Sequence, residues 1–400
     1  MQPESEKPPE VLPSNIEPLL EELGEFLKPY DALLGRVELH GHARMYVAGR
    51  LRQMDRRTLE PIATANGVHR RPLQMFVGAG KWSDEVIRKR MCTQVAETLG
   101  TPDGVLIMDG SGFQKWGKES VGVQRQWCGR LGKEENCQVG EFLAYASPKG
   151  RTLVDAHLYL PQFWADDRAR RQKTHVPATV VFRKGWELAL DMVELRGPSL
   201  PHGWVLGDDA YGRVVELRKG LERAGERYLL DVPSNTRVAL HTRDGASWRV
   251  DALAASVPAS AWTRVRTRDG EKGPVEVRAW KLRVTTGEGN DARRETFLVV
   301  RNPSNSKVWY YLSNAKGLAA AKMAKAAACR HYVEEALKLA KGEVGLAEYE
   351  VRSWVGWHHH MTLSILALLF LATRNERLQK KPGLQRPPGT DGHRVLARAA

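Results

Sequence analysis

Two short apolar segments of this chain end in aspartates, and they restrict its possible folds more than any other feature. GVLIMDG ends with Asp109 and a glycine, and HGWVLGDDAYG places Asp208 after a similar run. Short apolar runs bounded by turn residues are typical of strands. VGVQRQWCG and QVGEFLAYAS follow the first run and predict, with it, an antiparallel meander of three strands. Helical patterns at 184–195 and 213–224 lie on either side of the second run, so the sequence predicts an α/β core.

Outside this core, the sequence follows different patterns of apolar and polar residues. Residues 16–99 follow a helical pattern without an obvious strand, whereas 227–314 alternate apolar and polar residues between turns, as strands do. A long helix is predicted at 318–341 and a buried apolar helix at 358–373. The sequence therefore predicts a disordered N-terminus (1–13), a helical domain (14–99), an α/β core in two pieces (100–224 and 315–374), a β-rich insertion (225–314) and a basic flexible tail (375–400).

The composition indicates what kind of molecule the protein binds and in which cellular compartment it is expected. The net charge of +14 and the pI of about 9.6 favour a polyanionic partner. The most apolar run, 361–372, is shorter than the ~20 residues that cross a bilayer, so no membrane span is expected. No signal peptide is visible, and a cytoplasmic location is predicted. Four widely spaced cysteines without a CxxC pair predict reduced thiols and not a zinc site: Cys92, Cys128, Cys137 and Cys329.

A helix-turn-helix pattern lies in the first hundred residues. In LEPIATANGVHRRPLQMFV a glycine occupies the predicted turn, and Arg70, Arg71 and Gln74 follow it. These three side chains are candidate DNA contacts. Two ordinary packed helices would give the same pattern, so the residues leave both interpretations open.

The segment RHYVEEALKLAK places one acid between two basic residues of the predicted helix at 318–341. Arg330, Glu334 and Lys341 stand at offsets of 0, 4 and 11, which fall on one stripe of an α-helix. A carboxylate between two cations suits a metal-bound phosphodiester, because the cations neutralise phosphate charge. The alternative for Glu334 is an exposed glutamate paired with Arg330 or Lys338.

Each aspartate also has an ordinary structural explanation. Asp109 precedes a glycine and could begin a turn, whereas Asp208 could cap the following helix, with Asp209 as a competing acid. Together with Glu334 these carboxylates suit Mg²⁺ or Mn²⁺, which prefer oxygen ligands. Two such ions ~3.5–4 Å apart support an in-line phosphoryl displacement. The histidines at 358–360 are interpreted as a solvated helix start and not as a zinc site.

The basic stripe resembles a signature of the DDE transposases of bacterial insertion sequences. One subgroup has its third acid in the pattern Tyr-x2-Arg-x3-Glu-x6-Lys, and the spacing of Arg330, Glu334 and Lys341 matches it. Position 327, where the signature has tyrosine, is alanine in this chain. KGEVGLAEYEVRSWVGWHHHMTL, which follows, is also similar to the family.

The two aspartate segments resemble the other acidic blocks of that family. MDGSGFQKWGK is similar to the first block, with Asp109 on its first aspartate, although a glycine replaces the second. The block Asp-x2-Tyr-Gly matches Asp208, Tyr211 and Gly212, which selects Asp208 over Asp209. The resemblance extends from about residue 55 to 373.

This resemblance implies an α/β, ribonuclease-H-like catalytic core, interrupted by the β-rich insertion and preceded by an all-α DNA-binding domain. It implies a DNA transposase that cleaves element ends and joins the 3′-OH to target DNA, with two Mg²⁺ or Mn²⁺ ions. The expected partners are double-stranded DNA, at inverted-repeat ends and target, and a second copy of the chain in a homodimer. The expected location is the bacterial cytoplasm, at the nucleoid. The predicted site residues are catalytic and metal-binding Asp109, Asp208 and Glu334, phosphate-binding Arg330 and Lys341, and DNA-binding Arg70, Arg71, Gln74, Lys115 and Lys118.

Other functions remain open on the sequence. One is a DNA endonuclease of the same fold without strand transfer, and another is a domesticated, non-catalytic DNA-binding protein. A cytosolic regulator with a helix-turn-helix would explain the first third of the chain but leave the three acids without a role. Trp262, Trp280 and Trp309 of the insertion could stack on an unpaired base, although ordinary sheet positions explain them as well.

Overall fold

Among the described residues, five helices precede the first strand. The computed structural model describes residues 16–240, 246–270, 273–289 and 292–379, so the predicted disordered segment 1–13 lies outside the described residues. Ser83 caps the fifth helix, because its hydroxyl accepts a hydrogen bond from the backbone N–H of Val86 at 3.3 Å. The helices are α1 (Ile16–Leu34), α2 (Val37–Leu51), α3 (Leu59–Ala65), α4 (Arg70–Ala79) and α5 (Asp84–Thr98).

The predicted core is built on a mixed sheet. Its strands are β1 (Val105–Gln114), β2 (Gln124–Cys128), β3 (Lys133–Ser147), β4 (Gly150–Leu158), β5 (Trp204–Gly207) and β6 (Tyr228–Asp231). β3 is antiparallel to both β1 and β4, whereas β1, β5 and β6 are parallel neighbours. This mixed arrangement fits a ribonuclease-H-like domain.

The predicted meander of three strands was wrong in its pairing. β1 pairs with β3 and not with its neighbour in sequence, and β2 pairs only with the first residues of β3. β4, which the sequence did not predict, covers part of β3. A 15-residue strand such as β3 can serve several partners along its length, and local patterning does not reveal such partners.

Short helices connect the core strands. They are α6 (Gln162–Asp166), α7 (Arg168–Lys173), α8 (Gly185–Arg196), α9 (Asp209–Gly212) and α10 (Val215–Arg223). α8 and α10 correspond to the helices predicted at 184–195 and 213–224. α10 places Leu217 and Leu221, four residues apart, on one buried face, and packs against α8 and β6.

The β-rich segment continues the core sheet. Its elements are β7 (Arg237–Leu240), β8 (Ser247–Arg249), α11 (Val250–Ala255), β9 (Thr263–Gly270), β10 (Gly273–Thr286), β11 (Arg293–Arg301) and β12 (Val308–Ser313). β12 pairs with β6, so the strand order runs β6-β12-β11-β10-β7-β8. The predicted insertion (225–314) thus includes β6, which is also the last parallel strand of the core; the domain limits remain a prediction. A second hydrophobic cluster belongs to this segment: Val232, Val238, Val250, Leu253, Ala254, Val284, Phe297, Val299 and Leu312.

The helix predicted at 318–341 is two helices, α12 (Ala320–Ala327) and α13 (His331–Gly342). The three residues between them form a turn with i→i+3 hydrogen bonds, such as Arg330 N–H to the Ala327 carbonyl at 3.1 Å. Packing explains the break. α12 lies on β9, β10 and β11, whereas α13 lies on β1, β3 and β4.

The last described helix, α14 (Trp354–Gln379), runs through the core and extends into the predicted tail. It is long and apolar enough to cross a membrane, but 83% of its apolar window is buried within the protein, as predicted for a core helix. The prediction of a solvated helix start was wrong. The histidines at 358–360 are buried and contact backbone carbonyl groups, because α14 packs against α2, α4 and α5. The four cysteines are free, as predicted.

Candidate active site

Three neighbouring parallel strands bring three aspartates to one edge of the sheet. β1 and β5 are paired up to Ile107 and Leu206, and β5 and β6 are paired up to Gly207 and Leu230. The carboxyl ends of the paired stretches therefore lie side by side, and open α/β sheets bind ligands at the carboxyl ends of their parallel strands. The acids that follow the paired residues are Asp109, Asp208 and Asp231.

Asp109 is half-buried among other carboxylates. Burial raises its pKa to about 7, the negative charges of Asp208, Glu141 and Glu334 also raise it, and Arg330 opposes them. The alternative in which Asp109 begins a turn is wrong, because β1 continues beyond it. Since Asp208 and Glu334 both act on its pKa, the three predicted acids lie near one another.

Asp208 is both a helix cap and a member of this group. Its Oδ1 accepts a hydrogen bond from the backbone N–H of Ala210 at 2.9 Å, so the capping interpretation is confirmed. Burial raises the pKa of Asp208, the Ala210 hydrogen bond lowers it, and the charges of Asp209 and Arg330 act in opposite directions. Asp209 pairs with Arg213, whose Nη2 lies 2.7 Å from its Oδ2.

Glu334 lies in the first turn of α13 with 59% of its side chain exposed. Its Oε1 is 3.3 Å from Nη1 of Arg330, so the predicted i,i+4 pair is present. Nε of Arg330 lies 3.3 Å from Oδ2 of Asp231. Glu335 pairs instead with Arg151 of β4, at 2.6 Å. Arg330 therefore bridges two acids that come from different elements, β6 and α13.

Lys341 reaches from the end of α13 to β1. Its Nζ donates a hydrogen bond to Oγ of Ser111 at 2.6 Å and lies 5.4 Å from the centre of the Phe113 ring. Ser111 is two residues beyond Asp109 on the same strand. The second cation of the stripe is thus beside the acidic group, while Ala327, at the tyrosine position of the signature, is buried in the core.

Two further acids belong to this group that the sequence analysis missed. Glu141 of β3 is buried and accepts a hydrogen bond from the Tyr211 hydroxyl at 2.5 Å; burial raises its pKa. Burial also raises the pKa of Asp231, to about 7, against the opposing charge of Arg330. The available signal for Asp231 was the run YLLD, which ends in an acid as the runs of β1 and β5 do. Glu141 lies inside a long strand and gave no such signal.

Part of this acidic group borders a cleft of about 460 Å³. Its lining includes the acids at the ends of β5 and β6, Arg330, Glu334 and, from β12, Trp309. Trp262 and Trp280 have other surroundings, since the first lies beneath an arginine of β11 and the second packs on a phenylalanine of β11. Of the tryptophans considered for base stacking, Trp309 is therefore the one that lines the acidic cleft.

The predicted DNA contacts of the N-terminal part lie on α4. Arg70 and Arg71 are exposed, Gln74 is half-buried, and Arg70 pairs with Glu60 of α3 at 2.8 Å. The turn between α3 and α4 contains Gly67 at φ +65°, a left-handed conformation that glycine adopts without strain. This geometry agrees with a helix-turn-helix and with two ordinary packed helices, so the recognition role remains a prediction.

Lys115 and Lys118, the other predicted DNA contacts, have different surroundings. Lys115 Nζ donates a hydrogen bond to the Tyr349 carbonyl at 3.2 Å and lies 3.3 Å from the centre of the Tyr349 ring. Lys118 is exposed in the loop after β1. The structure thus places Lys118 where a phosphate can reach it and Lys115 against the protein.

The donor set fits Mg²⁺ or Mn²⁺ in its chemistry. Asp109, Asp208 and Glu334 supply the oxygen ligands that these ions prefer. Burial and, after it, the charges of neighbouring carboxylates raise the pKa of Asp109, and a bound cation would relieve the repulsion among these carboxylates. In the part of the chain that the structure describes, no three Asp, Glu, His or Cys side chains are grouped closely enough to hold an ion. Glu334 is paired with Arg330 instead.

Comparisons with known proteins agree with this geometry. The sequence profile of the DDE superfamily endonucleases matches residues 29–274, more than half of the chain, which include Asp109 and Asp208. The chain is also 23% identical over 352 residues to the probable transposase for insertion sequence element IS701 of Microchaete diplosiphon, across 85% of this chain and 84% of that protein. The predicted resemblance to DDE transposases of insertion sequences is confirmed. This chain belongs to the DDE superfamily of endonucleases.

Proposed function

We propose that this protein is a DNA transposase that cleaves the ends of an insertion sequence and joins the freed 3′-OH to target DNA. One observation carries the proposal: Asp109, Asp208 and Glu334, which are distant in sequence, lie beside Arg330 and Lys341 at one edge of the sheet. Acids and cations that lie this close to one another suit a reaction at a metal-bound phosphodiester. The similarity to the IS701 transposase supports the same activity.

Asp109, Asp208 and Glu334 would hold two Mg²⁺ or Mn²⁺ ions. Such ions activate an attacking oxygen and stabilise a leaving oxygen in an in-line phosphoryl displacement. Burial raises the pKa of Asp109 most, and the charges of Asp208 and Glu334 raise it further, so a bound cation would favour the ionised carboxylates.

The reaction comprises two phosphoryl transfers at one site. In the first, water attacks a phosphodiester at the element end, and the 3′-oxygen leaves as the 3′-OH. In the second, this 3′-OH attacks a phosphodiester of the target, whose own 3′-oxygen leaves. Arg330, through its planar fork, and Lys341, as a point charge, would hold the phosphate in both transfers and stabilise its developing negative charge.

Double-stranded DNA would contact several parts of the molecule. The net charge of +14 favours a polyanion, and Arg70, Arg71 and Gln74 would bind it from α4. At the cleft, Trp309 would stack on an unpaired base. Because two ends must be brought together, we propose a homodimer on DNA, at the nucleoid of the bacterial cytoplasm.

Substitution of Glu334 tests the catalytic assignment. Glu334→Gln keeps the shape and removes the charge, so we expect cleavage of end DNA in Mg²⁺ to fall by at least 10²–10³-fold, as for loss of a group that acts on the transition state. Glu335→Gln is the matched control, because the neighbouring glutamate pairs with Arg151. If the Glu334 variant cleaves DNA at the rate of the control, the proposal is contradicted. Asp208→Asn and Asp209→Asn form a second matched pair.

A DNA endonuclease without strand transfer is the second candidate function. Membership of the DDE superfamily endonucleases favours it, because that description specifies cleavage alone. A gel assay for joined products, with a pre-cleaved element end and a target plasmid, separates the two candidates. Joined products support the transposase, whereas nicking without joining supports the endonuclease. A domesticated, non-catalytic protein would give neither product in Mg²⁺ or Mn²⁺.

A further inference from the structure

Asp231 is an acid of the cleft to which the proposed function assigns no role. We propose that Asp231 is a positioning residue: it anchors Arg330, and so leaves Glu334 free to join Asp109 and Asp208. The inference rests on the proposed function, since it concerns how the same site reaches its working arrangement.

The geometry places Asp231 beside the site and in contact with one of its cations. It ends β6, next to the end of β5, which precedes Asp208. Its Oδ2 lies 3.3 Å from Nε of Arg330, whose Nη1 lies 3.3 Å from Oε1 of Glu334. Among the described residues, these are the two carboxylates within ion-pair distance of Arg330. The guanidinium is thus shared between a strand acid and a helix acid.

The two pairs of Arg330 differ in strength. The side chain of Asp231 is 13% exposed, whereas that of Glu334 is 59% exposed. Charges attract more strongly where water is excluded, and exposed ion pairs contribute little. The pair with Asp231 is therefore the one shielded from water, and the pair with Glu334 is the one that a cation or phosphate can reach and open.

The neighbours of Asp231 hold it in place. Tyr311 of β12 lies directly opposite Asp231 in the paired strands, is buried, and through its hydroxyl lowers the pKa of Asp231. Arg330, by contrast, lies in the turn between α12 and α13 and makes no side-chain cap for the helix. Asp231 thus holds Arg330 from a paired strand, whereas the other acid in contact with Arg330, Glu334, lies on α13 itself.

Without this anchor, Arg330 would compete with the metal ions. If Asp231 lost its charge, the guanidinium would pair fully with Glu334, the other carboxylate in reach among the described residues. Glu334 would then be a poorer metal ligand. Arg330 would also be displaced from the position in which its remaining N–H groups can meet a phosphate.

A double-mutant cycle tests this coupling with Mn²⁺ alone as the probe. Asp231→Asn, Arg330→Gln and the double variant are compared with the wild type by electron paramagnetic resonance of Mn²⁺ binding to the full chain. We expect Asp231→Asn to weaken Mn²⁺ binding about tenfold when Arg330 is present and less than twofold in the Arg330→Gln background. Equal weakening in both backgrounds would make Asp231 a metal ligand and overturn the proposal, as would no weakening in either.

An NMR measurement provides a readout that needs neither metal nor DNA. The Nε–H group of Arg330, in protein labelled at arginine, should exchange slowly with water in the wild type and in Glu334→Gln, and rapidly in Asp231→Asn. Slow exchange of this group in Asp231→Asn would contradict the proposal that Asp231 anchors Arg330. If the wild type cleaves no DNA but the Nε–H group of its Arg330 still exchanges slowly, the proposed function is refuted, whereas the role of Asp231 as an anchor is supported. Tyr311→Phe, which retains the ring, should accelerate exchange less than Asp231→Asn does.

Discussion

Lys115 and Lys118 are three positions apart, but the two lysines have different surroundings and exposures. The Lys115 ammonium lies over the Tyr349 ring, and burial lowers its pKa to about 7, so it is partly uncharged at neutral pH. Lys118 is exposed in the loop beyond β1. Both were predicted to contact DNA, but their surroundings favour this role for Lys118 alone.

Salt dependence distinguishes the two lysines. Each phosphate contact that is lost reduces the slope of log affinity against log salt by about 1. We therefore expect Lys118→Ala to weaken binding of end DNA and to reduce this slope by about 1. Lys115→Met, which fills the same space, should leave the slope unchanged. Fluorescence anisotropy with labelled DNA over a range of salt concentrations measures both, and a reduced slope for Lys115→Met would contradict the assignment.

At the scale of elements, the break between α12 and α13 shows where local patterning stops being informative. Residues 328–330 contain neither proline nor glycine, so propensity predicts an unbroken helix. The chain turns between α12 and α13 because the two helices pack on different strands. The predicted i,i+4 pair of Arg330 and Glu334 is present despite the break, since Arg330 keeps a helical backbone conformation at the start of α13.

β6 shows a second limit of the sequence. The run YLLD was correctly predicted as a strand, but nothing local distinguishes a strand that pairs with β5 from one that belongs to the following β-rich segment. Pairing between strands distant in sequence fixes that choice. Asp109 and Asp208 were found because each is part of a segment that resembles a family block, whereas YLLD shows a strand that ends in an acid and only the pairing of β6 with β5 places Asp231 beside Asp208.

A buried ion-pair network joins three elements, α5, β4 and α8. Asp155 of β4 is fully buried, with Arg196 of α8 at 2.6 Å and Arg88 of α5 at 3.1 Å. Burial alone would raise the pKa of Asp155, but Arg88, His157 and Arg196 outweigh it and lower the pKa. The network therefore stabilises the fold while Asp155 is ionised.

Removing the charge at the centre of this network should be costly. Asp155→Asn removes the buried carboxylate between Arg88 and Arg196, although both keep Glu85 as a partner, so we expect the free energy of unfolding to fall by about 3 kcal/mol, the lower end of the cost of breaking a buried pair. Urea denaturation followed by circular dichroism measures the change. Glu97→Gln is the control, because its pair with Arg90 at 3.5 Å is largely exposed and should contribute ~1 kcal/mol or less. Similar losses for the two variants would refute a structural role for the network.

For the whole molecule, α14 packs against both the N-terminal helices and the sheet. It contacts α2, α4, α5 and β4, and one hydrophobic cluster runs from α1 to α14 without a break at the predicted limit of the helical domain. Two of its histidines reach the N-terminal helices: His359 contacts the Val77 carbonyl at 3.0 Å, and His360 the Tyr46 hydroxyl at 2.8 Å. A sequence of three histidines gives no hint of this burial, which follows from the position of the helix.

Burial of these histidines links the stability of the molecule to pH. It lowers the pKa of His358 from 6.5 to about 4, and it also lowers the pKa of His359 and His360. Between those two pH values the unfolded chain binds protons that the folded chain excludes, so stability rises with pH in that window. The contribution is complete above pH 6.5 and is lost as the pH falls through about 4. The pKa of His202 shifts in the opposite direction. Burial lowers this pKa, but the hydrogen bonds with Glu226 and the Leu200 carbonyl outweigh burial and raise it.

Urea unfolding at several pH values tests this link. We expect the free energy of unfolding of the wild type to fall as the pH drops from 6.5 towards 4, with His358 contributing up to about 1.4 kcal/mol per pH unit. His358→Gln removes one titrating group, so its stability should depend less steeply on pH in that window. His202→Gln is the matched control, because a group whose pKa is raised on folding contributes stability below pH 6.5 and loses it as the pH rises. That variant should change the dependence above pH 6.5 and leave the acidic window as in the wild type. An unchanged acidic slope in His358→Gln would show that the buried histidine does not limit stability.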